Sequence, residues 1–144
     1  MAENSEKSQI VHASCVAIGP SAVLLVGPSG SGKSSLALQL MAMGAILIAD
    51  DRTTLSCTQF GISATCPSEI KNMIEARGVG LLAAECQSQS YIRLVVDLGA
   101  EETERLPPER EVTLLGQRLA LLHTPVHGHF PAAILQYMKG GRIA

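Results

Sequence analysis

Residues Gly27-Pro28-Ser29-Gly30-Ser31-Gly32-Lys33-Ser34 fit the pattern GxxxxGK[ST]. This stretch constrains the fold more than any other, because the pattern works in one setting only: after a buried strand and at the start of a helix. Both neighbours are legible. Ala22 to Val26 is a short continuous apolar run, suited to a strand buried on both faces. From Lys33 to Met43, Leu36, Leu40 and Met43 recur at helical spacing with Ala37 beside them, and Gly44 is placed to end the helix. Between these elements, glycines let successive backbone N–H groups turn inward toward anionic oxygens, and the helix start adds its dipole. Gly27, Pro28, Ser29, Gly30, Ser31, Gly32, Lys33, Ser34 and the following Ser35 are therefore candidate phosphate-binding residues. Lys33 should reach the β- and γ-phosphates as a point charge, and the Ser34 hydroxyl is a candidate Mg²⁺ ligand. ATP with Mg²⁺ is the expected nucleotide.

Ala45 to Ala49 reads as a second buried strand and ends in Asp50-Asp51. An acid at the carboxyl end of a strand near such a loop can approach Mg²⁺ and the γ-phosphate. Adjacent residues on an extended backbone point opposite ways. One carboxylate can thus face the nucleotide while the other faces a different partner. Taken alone, the pair is equally a turn that caps a hairpin. The loop just upstream favours the functional reading.

The rest of the chain reads as one α/β domain over residues 10–144, after a flexible lead-in over residues 1–9. Ile10 to Ile18 is expected to be a strand, and Thr53–Cys57 with Ile62–Thr65 a hairpin. A short helix is expected from Pro67 to about Ile74 with Ser68 as its cap. Glu75 to Gly80 reads as a charged turn, Tyr91–Leu98 as a strand, and Gly99–Glu111 as a solvated acidic loop that includes Glu101, Glu102, Glu104 and Arg105. Two short strands, Thr113–Leu115 and Arg118–Leu122, and a helix Ala132–Lys139 complete the chain.

Composition narrows the function. Of 144 residues, 47% are hydrophobic, enough to fill a core, while the 17% charged leave a sparsely solvated surface that suits a homo-oligomer. The net charge of −2 and the absence of Trp argue against nucleic acid as partner. No apolar run is long enough to span a membrane, and the N-terminus lacks the apolar core of a signal peptide. Cys15, Cys57, Cys66 and Cys86 form no CxxC pair and are expected to be reduced, buried hydrophobes in a cytoplasmic protein. His123, His127 and His129 suit a strand end better than a metal site.

Four pieces in order resemble the HPr kinase/phosphorylases of bacteria: His12, the loop, Ile48-Ala49-Asp50-Asp51, and Ile74-Glu75-Ala76-Arg77-Gly78-Val79-Gly80. The last two match the family's aliphatic-Ala-Asp-Asp element and its Glu-x-Arg-Gly-aliphatic-Gly signature. The pieces span about half the chain, from His12 to Leu82. The resemblance implies a P-loop fold of the phosphoenolpyruvate carboxykinase-like type, with a mixed central sheet, flanking helices and hexameric assembly. It implies ATP-dependent phosphorylation of a serine on the phosphocarrier protein HPr, and removal of that phosphate by inorganic phosphate. This would regulate the sugar phosphotransferase system and carbon metabolism. Many members carry a further N-terminal domain, and this chain looks like the short, single-domain form.

By the same resemblance, Asp51 is the proton acceptor, with Asp50 beside it in the catalytic pair, and His12 supports it. Lys33 is the phosphate-binding lysine, Ser34 and Glu75 are Mg²⁺ ligands, and Arg77 is a charge partner for phosphate or acid. Two positions depart from the pattern. Ala13 replaces a usual glycine, and His127-Gly128-His129 stands where the family has Pro-Gly-Arg, so His129 occupies the place of a catalytic arginine. Arginine is always charged and grips phosphate with a planar fork, whereas histidine is only partly charged at neutral pH. Two other readings share the loop: a small-molecule kinase of the nucleoside monophosphate type, and a nucleotide-binding regulator whose catalysis has decayed.

Overall fold

A computed structural model describes residues 7–144. The lead-in expected over residues 1–9 lies, as far as residue 6, outside the described residues; Ser8 and Gln9 already belong to the first strand. The chain forms β1 (Ser8–Val11), β2 (Ala13–Ile18), β3 (Ser21–Val26), α1 (Lys33–Ala42), β4 (Ile46–Ala49), β5 (Thr53–Thr58) and β6 (Gly61–Thr65). There follow β7 (Met73–Ala76), β8 (Gly80–Ala83), β9 (Ser90–Glu102), β10 (Arg110–Leu114), β11 (Gln117–Pro125) and α2 (Phe130–Gly140).

Among the described residues, nine strands make one mixed sheet in the order β1-β5-β6-β9-β3-β2-β4, with β11 also on β9 and β10 outside it; β7 and β8 form a separate hairpin. β9 is parallel to both β3 and β11. β2 runs antiparallel to both β3 and β4. The carboxyl ends of β3, β4, β9 and β11 therefore share one edge of the sheet. In open α/β sheets that edge is where ligands bind.

Strand alternation splits the core in two. One face of the sheet packs Val16, Val23, Leu25, Leu94 and Val96 against Leu36 and Leu40 of α1 and Ile134 and Met138 of α2. The other face packs Cys15, Leu24, Ile48 and Val95 against Leu55 and Ile62 of the β5–β6 hairpin. Both helices thus lie on one side. The N–H of Ala45 bonds the carbonyl of Leu40 and that of Gly44 bonds Met41, with Gly44 at φ 110°. This is the terminating arrangement that its position predicted.

Four expectations are corrected. Ile10–Ile18 is two strands, because β1 pairs with β5 while β2 pairs with β3 and β4, and the chain crosses between these partners at His12. The helix expected from Pro67 to Ile74 is one 3₁₀ turn, Ser68–Ile70, with no side-chain cap. Lys71 is already extended and ends it, Asn72 turns the chain at φ 65°, and the alternation of buried Ile74 and Ala76 with exposed Glu75 makes β7. Glu75–Gly80 is accordingly the start of a hairpin rather than a turn. Gly99–Glu111 is not all loop: β9 runs on to Glu102 and β10 begins at Arg110. Glu102 is not solvated either. Its side chain is 7% exposed and accepts from Nε and Nη2 of Arg110 at 3.1 and 3.2 Å.

Candidate phosphotransfer site

The loop leaves β3 at Gly27, whose φ of 147° only glycine tolerates. A Cβ there would sit 2.7 Å from Ser31 Oγ and 3.2 Å from the backbone N of Gly99. Gly30 and Gly32 also have positive φ. The curl draws Lys33 inward: it is 6% exposed, and Nζ donates to the carbonyls of Gly27 at 2.8 Å and Pro28 at 3.1 Å. Ser31 Oγ is buried in the same curl and has no hydrogen-bond partner among the described residues. It packs inside the curl, against the position a Gly27 side chain would take, and does not line the cleft above the loop.

The two aspartates diverge as their adjacency predicts. Asp50 is buried. Its Oδ1 accepts from Ser14 Oγ at 2.8 Å and Ser34 Oγ at 2.6 Å, and its Oδ2 accepts from the backbone N of Glu75 at 3.1 Å. Asp51 turns the other way. Its φ of 70° is left-handed, a conformation that aspartate adopts more readily than most residues. This swings its carboxylate into solvent, where Oδ1 accepts from Nε2 of His12 at 2.7 Å. Thr53 Oγ1 donates to the carbonyl of Ala13 and so ties the far side of this turn to β2.

A cleft of about 220 Å³ opens over the loop, walled by His12, Asp51, Lys33, Ser34, Glu75 and Arg77. The residues come from four places in the chain: the β1–β2 crossing, the start of α1, the end of β4, and the β7 hairpin. Asp50 lies beneath, bonded to Ser34. Glu75 and Arg77 make no ion pair with each other among the described residues, and both face the cleft. His129 is elsewhere. It precedes α2 and lines a separate cavity with His123 and His127, its ring 5.3 Å from that of His127.

A family model described as HPr Serine kinase C-terminal domain matches residues 3–129. The chain belongs to this family. Among curated relatives of this chain, the HPr kinase/phosphorylase of Stenotrophomonas maltophilia is 35% identical over 108 residues, which cover 68% of this chain and 34% of that protein. The HPr kinase/phosphorylase of Leptothrix cholodnii is 39% identical over 100 residues, covering 60% and 31%. The chain thus spans about a third of the length of the curated relatives it matches. A solved structure titled as the Hpr(Ser) kinase/phosphatase from Coxiella burnetii superposes with a TM-score of 0.76 at 23% identity, covering 91% of this chain and 88% of that one. The P-loop fold is shared with that structure.

Sequence reading missed Ser14. It is fully buried, donates to Asp50 and accepts from the backbone N–H of Asp51 at 3.3 Å, so one hydroxyl touches both aspartates. The available signal was a lone polar residue inside the apolar run Ala13–Ile18. All four cysteines are free, and complete burial pushes the Cys15 thiol far up, which suits packing rather than reactivity. Burial, with Cys86 nearby, also raises the Cys66 thiol. No helix among the described residues is long and apolar enough to cross a membrane.

Proposed function

We propose that the chain is the phosphotransfer domain of an ATP- and Mg²⁺-dependent serine kinase acting on the phosphocarrier protein HPr, with phosphate-dependent removal of the same phosphate as its reverse activity. The observation that carries this reading is that the His12–Asp51 pair faces the same cleft as Lys33 and Ser34. An exposed carboxylate beside a phosphate loop is placed to receive a proton from an incoming hydroxyl.

The donor set fits both implied groups. The glycine curl, too tight for a Cβ at Gly27, suits phosphate oxygens, and Gly30, Gly32, Lys33 and Ser34 line the cleft above it. Ser34, Asp50 and Glu75 offer hard oxygens, and Mg²⁺ usually takes only one or two carboxylates beside phosphate and water. Mg²⁺, when bound, would supply charge neutralisation at the β- and γ-phosphates. Lys33 and the loop amides would hold the phosphates in line. Asp51 would take the proton of the acceptor serine as its oxygen attacks the γ-phosphorus and the bond to the β-phosphate oxygen breaks, releasing ADP. In reverse, Asp51 would return that proton to the serine oxygen as inorganic phosphate attacks phosphoserine and pyrophosphate forms. His12 would keep the carboxylate aimed.

The test is a mass measurement on HPr incubated with the chain, ATP and Mg²⁺. A single added phosphate on one serine is expected. ATP binding with HPr left unmodified would favour the decayed regulator, a reading motivated by His129 standing where an arginine is expected; phosphorylation of small acceptors instead of HPr would favour the small-molecule kinase. Hexameric assembly and a cytoplasmic location belong to the same proposal. Exposed Ile10, Phe60, Val79 and Leu81 support self-association.

A further inference from the structure

In the sheet order β4-β2-β3-β9-β11, the phosphate loop leaves β3 near the middle. Asp50 and Asp51 follow β4, on one side of it. Ser34 is bonded to Asp50, so that side is where the metal and the terminal phosphates belong. A nucleotide held this way must emerge on the opposite side, over the ends of β9 and β11. A cavity of about 390 Å³ lies there, between the end of β11 and the first turns of α2. Its size is within the range of small-molecule sites.

We infer that this cavity receives the nucleoside of the bound nucleotide. The inference rests on the reading that the loop holds nucleotide phosphates. Leu122, Pro125, Phe130 and Ala133 supply apolar surface. The rings of His127 and His129 lie 12° from parallel and add flat faces on which a purine can stack. The cavity is also in reach. The end of β9 packs directly on the loop, since a Cβ on Gly99 would sit 2.9 Å from Cδ of Pro28. From Gly99 the strand continues to Glu102, which pairs in register with Pro125. That is three residues, roughly 10 Å of strand, a span suited to a ribose and its first phosphate. The Glu102 carboxylate at the cavity is already matched by Arg110. The three histidines, which the phosphotransfer reading leaves unused, gain a place in nucleotide recognition.

Calorimetric titration of the full chain with ATP and with inorganic tripolyphosphate, both with Mg²⁺, tests this. ATP should bind at least about tenfold more tightly than tripolyphosphate. Ala133→Leu, on an exposed position of α2 and between two good helix formers, should narrow the cavity without unfolding the chain. It should weaken ATP about tenfold and leave tripolyphosphate within about twofold. The imidazole NMR signals of His127 and His129 should move with ATP and not with tripolyphosphate. The inference falls if the wild type binds both ligands equally, or if Ala133→Leu leaves ATP unchanged or weakens both alike; in each of these cases the phosphate-loop reading still stands. Binding of neither ligand by the wild type would take down that reading and this one with it.

Discussion

Nε2 of His12 donates to Oδ1 of Asp51 at 2.7 Å, and the two side chains are 50% and 62% exposed. An ion pair this open contributes little to stability. Its worth is directional: the ring fixes where one carboxylate lone pair points, and leaves the other oxygen to the cleft.

Asp51→Asn should therefore fold and bind ATP as the wild type does. Asparagine tolerates the left-handed backbone at this position and keeps a hydrogen bond to His12. It cannot take a proton, so transfer to HPr should fall by about 100-fold or more. Quantifying phosphorylated HPr by mass, beside an ATP titration, checks both halves. Undiminished transfer would remove Asp51 from the chemistry.

Ser14→Ala should cost stability as well as rate. The change strips a donor from buried Asp50 and an acceptor from the Asp51 N–H, and leaving buried partners unpaired costs about 1–3 kcal/mol. Thermal unfolding reports the first effect. A lower kcat with an unchanged KM for HPr reports the second, because the acceptor protein does not touch a fully buried hydroxyl. A variant identical to wild type in both would show that Asp50 and Asp51 need no such brace.

Lys33→Met keeps the length of a buried stem and removes the ammonium. The loop then loses its bonds to the Gly27 and Pro28 carbonyls as well as its charge for phosphate. ATP affinity should drop at least about tenfold, measured by calorimetry. An affinity close to wild type would mean that backbone amides alone hold the phosphates.

The Glu102–Arg110 pair gives a pH signature. The hydrogen bond from Arg110 holds the Glu102 carboxyl below the usual carboxylate range. A depressed folded-state pKa adds stability above the unfolded value, about 4.3, and that stability is lost as pH falls through the folded one. Glu102→Gln should thus be less stable than wild type at pH 7, and the gap should shrink on acidification below about pH 4. Urea unfolding at several pH values measures it. A gap that stays constant with pH would show that the lost contact is not ionic.

The features legible in the sequence were those that local rules dictate. Gly27, Gly32 and Gly44 are needed where backbone must turn left-handed, and the run Ala22–Val26 is apolar because both its faces are covered. The divergence of Asp50 and Asp51 followed from the geometry of adjacent residues. What escaped depends on partners distant in sequence. Met73–Ala76 is too short for its alternation to outweigh the helix-start signal of Pro67-Ser68-Glu69. Glu102 reads as surface until Arg110 is brought beside it by β10. Ser14 looks like any small residue in a strand until α1 and β4 converge on it. His129, which the resemblance set in the place of a catalytic arginine, lines a different cavity from the cleft because β11 carries it there.

Asp50 joins four segments through one carboxylate: its own strand, Ser14 of β2, Ser34 of α1 and the Glu75 amide of β7. It is a keystone as much as a ligand. The hairpin that delivers Glu75 and Arg77 hangs from the same atoms that face the metal side of the loop. Drift at this position is therefore penalised twice over, once in assembly and once in chemistry. A lineage that abandoned catalysis would still be obliged to keep an acid there, so retention of Asp50 in a relative is weak testimony of activity, and retention of Asp51, whose carboxylate makes only an exposed contact to His12, is the stronger witness.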